Sequence, residues 1–309
     1  MSEKVLIGTR GSSLALAQAG WVKAALEKQS PNLTLSLKII KTSGDKITDV
    51  PLAAVGGKGL FVKEIEEALL QREIDLAVHS MKDVPDRIPP ELHLGAVTRR
   101  EDARDVLVSR SGLSLANLPP GSRLGTGSLR RTAQLLQARP DLTVAPLRGN
   151  LDTRLRKLKA GEVDAIVVAA AGLKRLGWEN EITEWLDPEV LLPAVGQGAL
   201  GIECRREDAR IQELIRPLND PDTETAVISE RALLHRLEGG CQVPLAAHGA
   251  LFGGRLRLRA LVASLDGKRI LRGEESGRGD QAREIGVRLA ERLLDQGAGA
   301  ILEEIYHRK

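Results

Sequence analysis

Aromatic residues are nearly absent from this chain: two Phe, one Tyr and three Trp make up 2% of 309 residues. The cores must therefore be built from Leu, Ile, Val and Ala, and base stacking, by which single-stranded nucleic acid is gripped, has almost nothing to work with. An excess of one charge is also lacking. Lys and Arg number 45 against 42 Asp and Glu, and the resulting +3 is too small to argue for a nucleic-acid partner. Cysteine is scarce: Cys204 and Cys241 stand far apart with no C-x-x-C pair, so a zinc site is not expected. Five histidines are scattered without H-E-x-x-H or a close pair, and no metal is expected. No run of 18 apolar residues is available to span a membrane. The opening MSEKVLIGTRGSS lacks the long apolar region of a signal peptide. These absences together predict a cytoplasmic protein with reduced thiols.

What is present is the composition of a folded enzyme, 42% hydrophobic and 28% charged, in a chain long enough for two or three domains. The first two-thirds alternates short apolar runs with amphipathic segments. Strands are predicted at Val5–Gly8, Leu33–Lys41, Asp75–Ser80, Arg123–Thr126, Leu142–Pro146 and Ala165–Ala169. Between them fall helices at Leu14–Lys28, Leu60–Arg72, Ser128–Arg139 and Asn150–Lys159, the first with Leu14, Ala17, Trp21 and Ala25 as its apolar stripe. Such alternation predicts parallel sheets covered on both faces, with a join near the polar run Thr98–Arg104. The last ninety or so residues differ. After a helix at Thr223–Leu237, Arg255–Ser264 alternates with period two as a half-exposed antiparallel strand does, and helices Gln281–Leu294 and Ala300–Tyr306 close the chain. Thr42–Gly59 carries four glycines and no clear periodicity, which suits either a lid over a site or a disordered stretch.

Ligands of open α/β sheets bind beyond the carboxyl ends of the strands. Here those ends run into Thr9-Arg10-Gly11-Ser12, His79-Ser80-Met81-Lys82-Asp83, Thr126-Gly127-Ser128-Leu129-Arg130-Arg131 and Arg148-Gly149-Asn150, with Arg154 one turn further. Helix starts at Ser12, Ser128 and Asn150 add N–H donors and a positive dipole end. A single arginine of this kind is usually a solvated charge, but four strand ends with the same feature describe a site for several anionic groups. No run matches a P-loop or dinucleotide fingerprint, so carboxylates are favoured over nucleotide phosphates. Asp83, beside this cationic wall, is placed to stabilise a developing cation and shuttle a proton. His79 reads as a satisfied structural histidine, Cys204 as an inert core thiol, and Cys241, in the turn Gly239-Gly240-Cys241-Gln242-Val243-Pro244, as an accessible one. Taken alone, these features leave open a non-catalytic receptor for an organic acid, or a thiol enzyme pairing Cys241 with His79.

Assembled in order, the runs resemble the porphobilinogen deaminase (hydroxymethylbilane synthase) family almost end to end. Beyond those already quoted, the resemblance is carried by Leu14-Ala15-Leu16-Ala17-Gln18, Gly56-Gly57-Lys58-Gly59-Leu60-Phe61, Val84-Pro85, Thr153-Arg154-Leu155, Ala171-Gly172-Leu173-Lys174-Arg175 and Gly196-Gln197-Gly198-Ala199-Leu200-Gly201. Gly127 departs from the family's run, where serine is expected. The resemblance implies a transferase that deaminates and condenses four porphobilinogen molecules head to tail on a dipyrromethane primer and releases linear hydroxymethylbilane. It places the primer on Cys241 by a thioether and makes Asp83 the catalytic group, stabilising the azafulvene cation left when ammonia departs. Cofactor contacts fall on Ser80, Lys82, Asp83, Thr126, Ser128, Arg130, Arg131 and Arg154. Substrate contacts fall on Arg10, Ser12, Lys58, Phe61, Arg148, Arg154, Arg175 and Gln197. It also implies the fold class, two α/β domains like those of periplasmic binding proteins plus a smaller C-terminal α+β domain, in a monomer with no nucleic-acid or membrane partner. The chain would cross twice between the first two domains: residues 1–98 with 197–217 form domain 1, 104–192 domain 2, and 220–309 the domain carrying the cysteine.

Overall fold

The computed structural model describes residues 3–46, 62–237 and 243–307. In chain order the first region contains β1 (Glu3–Thr9), α1 (Ser13–Gln29), β2 (Leu33–Ile39), α2 (Ser43–Lys46), α3 (Lys63–Leu70), β3 (Leu76–Ser80) and β4 (Leu92–Val97). The second contains β5 (Asp105–Ser109), β6 (Arg123–Gly125), α4 (Leu129–Ala138), β7 (Thr143–Ala145), α5 (Leu151–Lys159), β8 (Ala165–Ala169), α6 (Ala170–Arg175) and β9 (Glu184–Trp185). There follow β10 (Leu200–Arg205), α7 (Ala209–Ile215) and α8 (Pro221–Arg236). The chain then closes with β11 (Leu245–Phe252), β12 (Arg255–Ala263), β13 (Ile270–Arg278), α9 (Ala282–Asp295) and α10 (Ala298–His307).

The strands form two five-stranded sheets of the same wiring, β2-β1-β3-β10-β4 and β7-β6-β8-β5-β9, and a three-stranded meander β11-β12-β13. Each large sheet is mixed rather than wholly parallel, which corrects the expectation from strand–helix alternation. β10 runs antiparallel to both β3 and β4, and β5 antiparallel to β8 and β9. The reason is the route: β10 enters its sheet from the second region and β5 from the first, so each arrives from the end at which the local strands leave. Two crossovers, residues 98–104 and 186–199, carry this exchange. They pair with each other through Thr98 N–H to Leu200 O at 3.0 Å and Glu101 N–H to Gly198 O at 3.1 Å. Gly198, at φ 92°, is needed here because a Cβ would lie 2.3 Å from the Glu101 carbonyl oxygen.

The first sheet buries Val5, Ile7, Leu76 and Ile202 beneath α1 and α7, and Ala77 with Leu92 beneath α3. α1 faces the sheet with Gln18, Ala19, Val22 and Leu26, while Trp21 is 53% exposed. The expected stripe is therefore displaced by one residue: Ala19, Val22 and Leu26 face the sheet and Trp21 lies outside it. On β12, Arg255 and Arg257 alternate outward against Leu256 and Leu258, but Ala260–Ala263 are buried on both sides. The period of two stops where Ala133 of α4 and Leu192 cover the second face, packed with Ala246, Leu261 and Ala263. The turn after β12 lies so close to α4 that a Cβ on Gly267 would meet the Ala133 carbonyl oxygen at 2.2 Å.

Candidate active site

The strand ends named from the sequence converge where the sheets face each other. Arg10, Ser12, Gln18, His79, Ser80 and Asp83 line one concave pocket on the first region. Its floor is ordered by Gln18, which is buried and donates from Nε2 to Ser80 Oγ at 3.0 Å. Ser12, Ser128 and Asn150 cap α1, α4 and α5 by accepting from Ala15, Arg131 and Thr153 N–H respectively. Each capping hydroxyl of Ser12 and Ser128 keeps its O–H for a ligand. Thr126 is buried, its Oγ1 accepting from Ser128 N–H at 3.2 Å. A Cβ on Gly127 would stand 2.9 Å from the Leu147 carbonyl oxygen, so the serine expected by family pattern would need the backbone to shift.

The cations divide into two kinds. Arg130 and Arg131 are buried against Asp105, Arg130 Nη1 at 2.8 Å from Oδ2 and Arg131 Nη2 at 2.7 Å from Oδ1. Burial alone would raise the Asp105 pKa, but the two guanidiniums hold it well below the usual carboxylate range. Lys82, Arg148 and Arg154 are only half-buried, and Asp83 bears on two of them, Lys82 and Arg154. Burial, followed by repulsion from Arg131, pushes Lys82 down to about 8, with Asp83 and Asp105 opposing. Arg154 falls to about 10 through burial and then the proximity of Arg131 and Arg148, with Asp83 opposing. Arg148 Nη1 is buried without a hydrogen-bond partner. Burial also lowers Arg175 to about 10, and its Nη2 donates to Gly198 O at 2.6 Å, on the second crossover. Arg154 is steadied by Nε donating to Gly149 O at 2.8 Å; Gly149 adopts φ 105°, where a Cβ would crowd Thr153 at 2.8 Å.

A half-buried set of like charges with one unsatisfied guanidinium N–H fits a guest bearing several carboxylates, because each such group would replace water that the cations have lost. Asp83, at the end of a short turn after β3, is the carboxylate that faces Lys82 and Arg154. His79 is buried with Nε2 2.9 Å from Glu203 Oε2, a structural pair that removes it as the base of a thiol enzyme. Cys204 is buried, and burial pushes its thiol up to about 12, which makes it inert. Gln197, expected near the pyrroles, lies in the second crossover with Nε2 donating to Asp105 Oδ1 at 2.9 Å and Ala103 O at 2.7 Å. Lys58, Phe61 and Cys241 lie outside the described residues.

Two residues that organise the site escaped the sequence reading. Asp105 was absorbed in the polar join, although a carboxylate directly before the apolar run Val106–Val108 is a signal of a buried charge. Glu230 is fully buried on α8, accepting from Arg100 Nη2 at 2.8 Å, Gly249 N–H at 2.7 Å and Gly196 N–H at 2.6 Å. Its signal is a glutamate on the stripe Ala226, Val227, Leu233.

A cleft of this make-up suits polycarboxylated small molecules, with a fixed anion among buried and half-buried cations. Residues 5–213 match the family model described as porphobilinogen deaminase, dipyromethane cofactor binding domain, and residues 224–295 match porphobilinogen deaminase, C-terminal domain. A porphobilinogen deaminase of Syntrophobacter fumaroxidans is 57% identical over 307 residues, covering 99% of each chain. One of Pelobacter propionicus is 58% identical over 303 residues, covering 98% of this chain and 97% of its own. An arginine-specific periplasmic binding protein of Salmonella typhimurium superposes at TM-score 0.41 and 17% identity over 72% of this chain and 94% of its own, a likeness that carries no weight. The chain belongs to the porphobilinogen deaminase family. Its activity is that family's transferase reaction, the head-to-tail condensation of porphobilinogen to hydroxymethylbilane with dipyrromethane as cofactor.

Proposed function

We propose that Asp83 is the catalytic group of this reaction, that the cleft cations bind the acetates and propionates of cofactor and substrate, and that Cys241 carries the cofactor through a thioether. The observation that carries this reading is the set of Lys82 and Arg154 beside Asp83, with Arg148 near Arg154 and one of its guanidinium nitrogens unsatisfied. When bound, the cofactor would supply the nucleophilic free pyrrole α-carbon for the first condensation and the fixed anchor for the rest. All else falls to side chains of the chain. Arginine forks orient the substrate's carboxylates so that its aminomethyl group faces Asp83. The Asp83 carboxylate accepts pyrrole N–H, offsets the positive charge that grows as ammonia leaves, and takes up the proton released when aromaticity is restored. Lys82, with a pKa of about 8, remains charged at neutral pH and holds a carboxylate next to Asp83.

The same reading divides the chain at 1–98 with 197–217, 104–192 and 220–309, in support of which each large sheet takes in one strand brought by a crossover. It also makes the enzyme a cytoplasmic monomer with no nucleic-acid partner: one chain supplies both walls of the cleft, and a thioether can form only from a thiol that a reducing compartment keeps free. Among the described residues no helix is long and apolar enough to cross a membrane. Intact mass followed by peptide mapping is the test. A dipyrromethane mass on the peptide containing Cys241 is expected; fully active protein with that residue unmodified would overturn the assignment.

A further inference from the structure

Asp105 is the first residue of β5 and has no exposed surface. Its carboxylate gathers two hydrogen-bond donors on Oδ1, Arg131 and Gln197, and one guanidinium in ion-pair contact at Oδ2, Arg130, from two distant parts of the chain. Arg131 approaches Oδ1 with Nε at 3.2 Å and Nη2 at 2.7 Å, Arg130 Nη1 is 2.8 Å from Oδ2, and Gln197 Nε2 is 2.9 Å from Oδ1. The arginines open α4; Gln197 belongs to the returning crossover. The same crossover is held again by α4, where Arg130 Nη1 donates to Leu192 O at 2.6 Å and Gln134 brackets Leu192 through both its N–H and its carbonyl. The Asp105 main-chain oxygen receives Leu186 N–H at 3.0 Å, where that crossover begins.

This arrangement differs from ordinary charge neutralisation. A single counter-ion would balance one arginine, and any accessible anion could do it. Here one buried carboxylate fixes two forks at once and ties them to the segment about which the two sheets are joined. Resting on the assignment of Arg130 and Arg131 to the cofactor, we propose that Asp105 is a positioning residue for cofactor capture: it locks the two arginines in a receptive geometry and couples their placement to the returning crossover through Gln197. The Arg131 fork, bound on its Nε edge, and Arg130, held between Asp105 and Leu192 O, cannot swing to follow a ligand, so the cofactor's carboxylates meet donors already in place, and the entropy of ordering two long side chains is lost at folding rather than at capture.

The test uses full-length enzyme and two readouts that stability alone does not move: the fraction of purified protein carrying the cofactor mass, and the alkaline limb of the pH–rate profile. That limb is expected to follow Lys82, on which Arg130, Arg131, Asp83 and Asp105 all act. Asp105→Asn is expected to lower the loaded fraction at least about tenfold, since both forks lose their charged anchor. In the fraction that is loaded it should move the limb down by about half a pH unit, since a negative neighbour of Lys82 has gone. Asp105→Glu keeps the charge, so the limb should stay in place while the displaced forks cut loading by about threefold or more. Should Asp105→Asn fail to fold, Asp105→Glu carries the test alone. Full loading of either variant would overturn the proposal, reducing Asp105 to a charge that any geometry could supply. Wild-type protein free of any adduct would instead overturn the cofactor assignment on which the proposal rests, so the two failures are told apart.

Discussion

The two kinds of cation in the cleft are held in opposite ways. Arg130 and Arg131 carry their counter-ion with them, buried on Asp105, whereas Lys82, Arg148 and Arg154 stand half-buried with depressed pKa values or an unsatisfied N–H. The difference suits two tasks. A guest that stays needs donors that do not move, and their ordering can be completed when the chain folds. A guest that turns over needs donors that gain from its arrival and lose little on its departure.

The sharpest way to break this comparison is stability. Arg131→Leu leaves Asp105 with one charge partner in a closed interior, and a loss of about 3–5 kcal/mol is expected, together with failure to acquire or hold the cofactor. Arg148→Leu removes a guanidinium that no internal anion holds, so its unfolding free energy should change by no more than about 0.5 kcal/mol. Urea unfolding monitored by circular dichroism compares them; equal losses would erase the distinction. Asp83→Asn comes next. It should lower ammonia release at least about 100-fold while the circular dichroism spectrum is retained, because the carboxylate serves the cleft and no core. Near-normal turnover in the folded variant would remove Asp83 from the chemistry.

Arg148→Leu should keep its cofactor but slow one addition by about one to two decades, the worth of a charge-assisted contact of about 1.5–3 kcal/mol. Intact masses taken after adding porphobilinogen should then pile up at one length. Arg148→Lys should restore the step only in part, since the ammonium lacks the fork. If every arginine variant gives the wild-type pattern, merely slower, the cations act as a shared field. The smallest effect concerns pH. Lys82 has a lowered pKa of about 8, so it loses charge as pH rises through that value, and KM for porphobilinogen should climb by roughly tenfold over the next pH unit or so. Lys82→Arg keeps its charge and should flatten that rise; a persistent climb would assign the titration to another group.

How far these features could be read from sequence depended on whether the signal was local. The strand ends at Thr9, Ser80, Thr126 and Arg148 were legible because hydroxyls, glycines and arginines stand next to short apolar runs. Likewise β6, β8, α4 and α5 carry their periodicity within ten residues. The return of β10 to the first sheet came only from the family resemblance, which put 197–217 with 1–98, since pairing Gly201 with His79 and Val97 depends on contacts more than one hundred residues apart. The cleft arginines were equally visible as arginines, but nothing local says that Asp105 holds two of them. Trp21 misled for a related reason: helical spacing marks a stripe, and only the strand beneath it decides which stripe is buried.

The placing of β10 between β3 and β4 also sets an order of birth. Every strand of the second sheet, from Asp105 to Trp185, is made before Leu200 leaves the ribosome. Of the two large sheets, the one encoded first is thus completed second, its fourth strand in spatial order supplied after the other sheet has been fully synthesised. A chain arrested near residue 190 would hold one finished sheet and one divided between β3 and β4, with the loop that bears Asp83 resting on the unfinished edge.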